Sequence, residues 1–251
     1  MNRGVWILTA GSLVVSGCLK TDPDPAPLLQ EKAGVVHLTI RPRWWGSPFD
    51  KTVVYTNVLA QRVLVQQLRF FLADMRMTSA GEEVLMKDAD LFDLTNGSEE
   101  RWYRIAPGGY DQLRFGIGLP YALNHSDPSN YPVNDPLGAN SGMDWGWVSL
   151  HRFMLFEGRF DTLPGSGIPP FQFSVHTGFD TCYRESQVPV AMDIAIDDTV
   201  ELVLDMDLSR FFHNATDSFD LSEGSQWHGE AGQVNIALKL SDMVAGSFSM
   251  P

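Results

Sequence analysis

The sequence predicts an all-β protein: an antiparallel β-sandwich of the immunoglobulin-like or Greek-key type, with one long functional loop and short helices. Three observations carry this. Apolar and polar residues alternate with a period of two in segment after segment. Clusters of Gly, Pro, Asn and Asp separate those segments. No long stretch repeats with the helical period of 3.6, which leaves sandwich or barrel architectures.

Val36, Leu38 and Ile40 alternate with His37, Thr39 and Arg41 and open the strand series. The run 63–77 is apolar on both faces, as a central strand covered from each side would be. Leu113, Phe115, Ile117 and Leu119 alternate with Arg114, Gly116 and Gly118. The stretch 120–142 then breaks the pattern with His125-Ser126-Asp127-Pro128, Tyr131-Pro132 and Asn134-Asp135-Pro136. A loop of that length inside a compact domain is functional or disordered. Residues 152–160 are again apolar on both faces. Phe171, Phe173 and Val175 alternate with Gln172, Ser174 and His176, and the same period runs through 188–197 and 200–207. Val234, Ile236, Leu238 and Leu240 read as a closing strand, with short helices near 208–213 and 241–248.

The chain has 251 residues, with 18 Lys+Arg against 31 Asp+Glu and a formal charge of −13. That length suits one domain with a sizeable core. The acidic balance excludes a nucleic-acid binder, which needs a basic footprint, and electrostatic adhesion to anionic lipid. Two cysteines, Cys18 and Cys182, exclude a disulfide-dense scaffold and a four-cysteine zinc module.

Residues 1–17 read as a lipoprotein signal peptide. Arg3 supplies the positive end, and the apolar stretch 5–15 is too short to span a hydrocarbon core of ~30 Å. The stretch ends Val15-Ser16-Gly17-Cys18, which resembles a bacterial lipobox. On that reading Cys18 is lipidated and the chain is secreted across the inner membrane. Leu19 rather than Asp follows the cysteine, so the expected place is the outer membrane, facing the periplasm. An ordinary signal peptide with Cys18 as a bystander is the alternative. Residues 18–34 form a Pro/Asp-rich tether whose prolines favour extended polyproline II. The folded domain is expected over 35–251, and Cys182 reads as a buried or idle thiol.

Motifs for catalysis are missing. There is no GxSxG, HExxH, Walker loop or GxGxxG, so a binding protein rather than an enzyme is expected. Gly116 and Gly118 lie in a strand and read as close packing or a bulge. Asp205-Met206-Asp207 lacks the Gly and closing Glu of an EF-hand, whereas the oxygen-rich loop 124–135 is a candidate calcium loop. The six histidines are the best chemical lead. His37 and His176 sit on the polar faces of alternating strands, where imidazole is either exposed or a ligand for copper or another late first-row metal. No histidine lies two or four residues from another, so any site is assembled across strands.

Several segments together resemble the MbnP-like family of periplasmic copper-binding proteins. They are Leu38-Thr39-Ile40, Tyr55-Thr56-Asn57, and Gln67-Leu68-Arg69-Phe70-Phe71 running on to Met77. Phe115-Gly116-Ile117-Gly118-Leu119-Pro120 follows, with Asn124-His125. Met143-Asp144-Trp145-Gly146-Trp147 comes next with Arg152-Phe153 and Glu157-Gly158, then Phe173-Ser174-Val175-His176-Thr177-Gly178 and Trp227-His228. The order of these pieces over about 35–250 carries the likeness; no single one is diagnostic.

The resemblance implies a secreted β-sandwich that binds copper. It also implies a partner, a di-haem enzyme of the cytochrome c peroxidase type (MbnH-type), which in relatives oxidises a tryptophan to kynurenine beside the metal. Carried over, Trp145 and Trp147 match the paired tryptophans, and His125, His176 and His228 match motif histidines. His37 joins them from its strand position alone. His151 stands where an aromatic is expected, and Asp144 where a large residue is common. Two rival readings are a structural or interaction lipoprotein without metal, and a carbohydrate-binding sandwich using Trp44, Trp45, Trp145 and Trp147 as stacking platforms.

Overall fold

A computed structural model describes residues 32–146, 150–229 and 233–251. Cys18, residues 1–17, most of the tether and Trp147 lie outside the described residues. The described residues belong to one compact unit, Lys32–Pro251.

The fold is an all-β sandwich. Strand β1 (Gly34–Trp44) buries Val36, Leu38, Ile40, Pro42 and Trp44 and leaves the alternate residues His37, Thr39, Arg41 and Arg43 partly exposed, the period-two pattern of a half-buried strand. It anchors one sheet together with β2 (Ser47–Pro48), β6 (Glu99–Ile105), β11 (Thr199–Asp207) and β13 (Phe248–Ser249). The second sheet contains β3 (Tyr55–Thr56), β4 (Arg62–Ser79), β5 (Glu82–Asp93), β7 (Gly108–Ile117), β8 (Arg152–Asp161), β9 (Phe171–Gly178), β10 (Arg184–Ile194) and β12 (Gln226–Trp227). Most pairings are antiparallel, but β1 runs parallel to β11 and β9 runs parallel to β12, so both sheets are mixed. The sequence offered no sign of β5 and β6: Glu82–Asp93 places acids on both faces, and Glu99–Ile105 buries only Tyr103 and Ile105.

The 18-residue strand β4 is the spine of the second sheet. Its first half pairs with β8 and its second half with β7, while β5 lies along the other edge. Flanked on both edges and covered on both faces, Phe70, Phe71, Leu72 and Ala73 are all buried, which explains the unbroken apolar run. The register shifts at Asp74, whose φ of 46 marks a bulge. Its carboxylate accepts from Arg76 and Arg114, which fixes the bend.

The closing strand expected from Val234 to Leu240 is instead part of a helix, α2 (Val234–Ala245). Ala237, Leu240, Ser241 and Val244 are buried, the i, i+3, i+4, i+7 stripe of an amphipathic helix. Of the alternating positions 234, 236, 238 and 240 only Leu240 is on that stripe, with Val234, Ile236 and Leu238 partly buried beside it, and α2 packs on β9 and β10 rather than extending a sheet. A 3-10 turn over Leu208–Phe212 agrees with the short helix expected there.

The stretch 120–142 is ordered by local turns: a short helix α1 (Tyr121–Asn124) and 3-10 turns at Pro128–Asn130 and Ala139–Ser141. His151, fully buried, holds it down. The backbone N–H of His151 donates to Asn124 Oδ1 at 3.0 Å, and its two ring nitrogens lie 3.2 Å from Asn124 O and 3.3 Å from Leu137 O. An imidazole in place of the expected aromatic can donate a hydrogen bond to one of these two loop carbonyls, which a hydrocarbon ring could not. Gly118 (φ +95) is required by packing as well as conformation, since a Cβ there would stand 2.3 Å from the Phe153 ring. Among the described residues no helix is long and apolar enough to cross a membrane.

Candidate functional site

Strand pairing at one margin of the second sheet builds a polar cluster. In β9, Phe173 and Val175 face the core and are fully buried, so Ser174 and His176 point the other way. Glu157 of β8 sits opposite Ser174, and on the far side Gln226 of β12 pairs with Ser174 and Trp227 with Val175. Continued by one residue, that parallel register sets His228 beside His176. Trp227, like Val175, turns inward and is fully buried.

The side chains meet around one hydroxyl. Ser174 Oγ lies 3.1 Å from His176 Nε2, 2.8 Å from His228 Nε2 and 3.2 Å from Glu157 Oε1. Glu157 Oε1 is also 2.5 Å from His176 Nε2. The two imidazole rings meet edge to face, 4.6 Å between centroids. His176 is buried and His228 is exposed, so the cluster opens on its His228 side. Burial holds His176 below the ordinary imidazole pKa, against the opposing pull of the Glu157 carboxylate. A neutral imidazole is the form that binds a metal.

Trp145 roofs the inner end. Its ring lies 6.3 Å from that of His176, stacks on Phe179 at 6.2 Å and meets Trp227 edge-on at 6.0 Å. Its indole Nε1 donates to His151 O at 3.1 Å. Arg152 spans the open face of the indole, 5.5 Å from the ring centre, and donates to Asp144 O through Nε and Nη2. Residue 178 has no side chain because the indole fills that space: a Cβ at Gly178 would stand 2.7 Å from Trp145 Nε1.

Of the sequence-derived candidates, His176, His228 and Trp145 thus come together. His125 does not join them; its Nε2 is 3.0 Å from Asp180 Oδ2 and its ring stacks on Tyr121. His37 lies on the other sheet, between Glu201 (2.8 Å from Nδ1) and Glu100 (3.2 Å from Nε2), and stacks on Trp102. Those carboxylates approach opposite sides of the ring, so they do not converge on one point. Their charge raises the His37 pKa above the ordinary value, the Glu201 contact first.

Cys182 is buried, and burial pushes its thiol pKa up, which makes it unreactive. In the candidate calcium loop, the carboxylates of Asp127 and Asp135 accept from the backbone N–H groups of Ser129 and Leu137. Trp44 and Trp145 are buried and offer no open face to a sugar, Trp45 is half exposed and lies against His213, and Trp147 is outside the described residues. Glu157, Ser174 and Arg152 were not foreseen as site residues. The Ser174/His176 spacing of two was visible, but the two-residue strand that delivers His228 carries no sequence signal.

The donor chemistry fits copper: two imidazole nitrogens and a carboxylate oxygen surround a single small hydroxyl. As they stand, these groups are hydrogen-bonded to one another. Among the described residues, no three or more His, Cys, Asp and Glu side chains are preset around an ion. A metal held here would have to displace the hydrogen bonds at Ser174.

The sequence profile of the MbnP family matches residues 33–227. Among solved structures, MbnP from Methylosinus trichosporium is similar, with 16% identity, 72% of this chain and 78% of that chain covered, and a TM-score of 0.47. No curated protein matches.

Proposed function

The chain belongs to the MbnP family, and on that premise we propose that it is a copper-binding protein of the cell envelope whose site is built on His176 and His228. The observation that carries this is the meeting of both Nε2 atoms on Ser174 Oγ, at 3.1 and 2.8 Å, beside a tryptophan. His176 stands in β9 and His228 directly follows β12, which pairs with β9, so sheet pairing brings the two rings together. Bound copper supplies a centre for capture and delivery. The chain's own part is to orient the imidazoles, keep His176 neutral through burial, and shield one side with Trp145.

The acidic surface draws cations toward the site. Export and lipidation at Cys18 belong to the same proposal, with the domain facing the periplasm. Trp145 is the residue proposed for oxidation by a di-haem partner, which supplies the oxidising equivalents. Its ring neighbours His176, so a kynurenine formed there stands next to the metal.

The test is a panel of histidine variants of the purified protein titrated with copper. His176→Ala and His228→Ala each abolish tight one-to-one binding, whereas His37→Ala and His125→Ala leave it intact. Tight binding that survives the His176→Ala/His228→Ala double change overturns the assignment. Cleavage of the indole double bond with uptake of two oxygens gives N-formylkynurenine, and hydrolysis of its formamide releases formate to leave kynurenine, a net gain of about 4 Da that peptide mapping places on the Trp145 peptide. An unmodified Trp145 after incubation with the active partner and its oxidant refutes that part.

A further inference from the structure

We infer that Glu157 is the third donor of this site and tunes it toward copper in the divalent state. The inference rests on the copper reading of the histidine pair and deepens it. Glu157 projects from β8 directly opposite Ser174, and its carboxylate turns onto the cluster. Oε1 lies 2.5 Å from His176 Nε2, the atom that would carry the metal, and 3.2 Å from Ser174 Oγ. The side chain is 32% exposed, so water was open to it as an alternative partner.

Donor chemistry points the same way. Two nitrogens and one oxygen form a mixed set of the kind that suits Cu(II), whereas the soft sulfur ligands that favour Cu(I) are not part of this group. Cys182 is buried, its thiol held protonated by desolvation.

Charge supplies the third reason. The Arg152 guanidinium puts a positive field beside the cluster: it lies 5.5 Å over the Trp145 ring, which neighbours His176 at 6.3 Å. A metal ion entering the cluster meets that same positive field. Two neutral imidazoles beside a guanidinium tolerate a monovalent ion better than a divalent one. The Glu157 carboxylate offsets the extra charge where it would arise.

The experiment uses the full-length protein in detergent, as wild type, Glu157→Gln and Glu157→Asp. The probes are a Cu(II) salt followed by electron paramagnetic resonance, and Cu(I) under anaerobic competition with a chelator. Gln keeps the size and a carbonyl oxygen but removes the charge. Expected for Glu157→Gln is Cu(II) binding weakened about a hundredfold or more, at or beyond the upper end of what second-sphere residues contribute, with Cu(I) affinity changed less than about threefold. Retained Cu(I) binding also shows that the variant is folded. Glu157→Asp recovers part of the Cu(II) affinity because it restores the charge.

Equal Cu(II) affinity and the same resonance spectrum in wild type and Glu157→Gln overturn the inference while leaving the histidine site standing. Loss of both oxidation states by the same factor overturns it too, since Glu157 would then only position His176. A wild-type protein that binds neither state removes the histidine site itself.

Discussion

Replacing Gly178 by Ala tests whether the Trp145 roof sits where the structure puts it. The new Cβ would stand 2.7 Å from Trp145 Nε1, 2.8 Å from the indole Cζ2 and 2.9 Å from His151 O. The indole has no easy retreat. Phe179 and Trp227 pack against it, and Arg152 covers its remaining face. His151 O is backbone, tied through the Asp144–His151 bridge. Overpacking by one methyl in such a place costs about 1–3 kcal/mol. Displacing the indole also breaks the Trp145 to His151 hydrogen bond, which adds about 0.5–1.5 kcal/mol. The expected loss is therefore about 1.5–4.5 kcal/mol, read by denaturant unfolding of the purified protein, with a change in tryptophan fluorescence. Gly109→Ala is the control: nothing lies within 4 Å of a Cβ there, so it should stay within about 0.5 kcal/mol of wild type. A Gly178→Ala protein as stable as the control would refute the packing of Trp145 against residue 178.

Helix α2 makes a second prediction, because Leu240 is fully buried and Leu238 only partly so. Leu240→Ala should cost about 2–5 kcal/mol by denaturant unfolding, and Leu238→Ala distinctly less; equal losses would favour a strand over a helix. His37 should titrate above the ordinary imidazole value in an NMR pH series, and Glu201→Gln should bring it down. Its folded pKa is raised, so the stability it contributes is full below about pH 6.5, the unfolded value, and is lost as pH rises through the folded value. A His37 that titrates at or below the ordinary value contradicts the Glu201 contact. Cys182 should resist alkylation in the native protein and react on denaturation; rapid native labelling would contradict its burial.

The sheets were legible where one face is wet. In β1 and β11 the period of two and the burial pattern coincide residue by residue. The spine strand was legible for the opposite reason, an apolar run too long for a one-sided strand. Legibility ends where two periods overlap: positions 234 to 240 fit a strand as well as two turns of helix, and only the packing partner decides. It ends again in β5, whose acids on both faces disguise a strand paired to β4.

The site was half legible. His176 and the residue two before it could be placed on one face from spacing alone. His228 reaches them through a parallel pairing two residues long, which no local pattern encodes. His37 obeys the same strand rule as His176, yet its sheet neighbours are two glutamates and a tryptophan rather than a second imidazole. Strand periodicity gives the face, whereas register gives the company.

The place of the metal is the central claim. The most direct measurement is a crystal structure of the copper-loaded protein, with anomalous scattering collected at the copper edge. A peak bonded to both His176 Nε2 and His228 Nε2 is the predicted result. A peak at His37 or His125 with none at His176, or no peak after loading with stoichiometric copper, would contradict it.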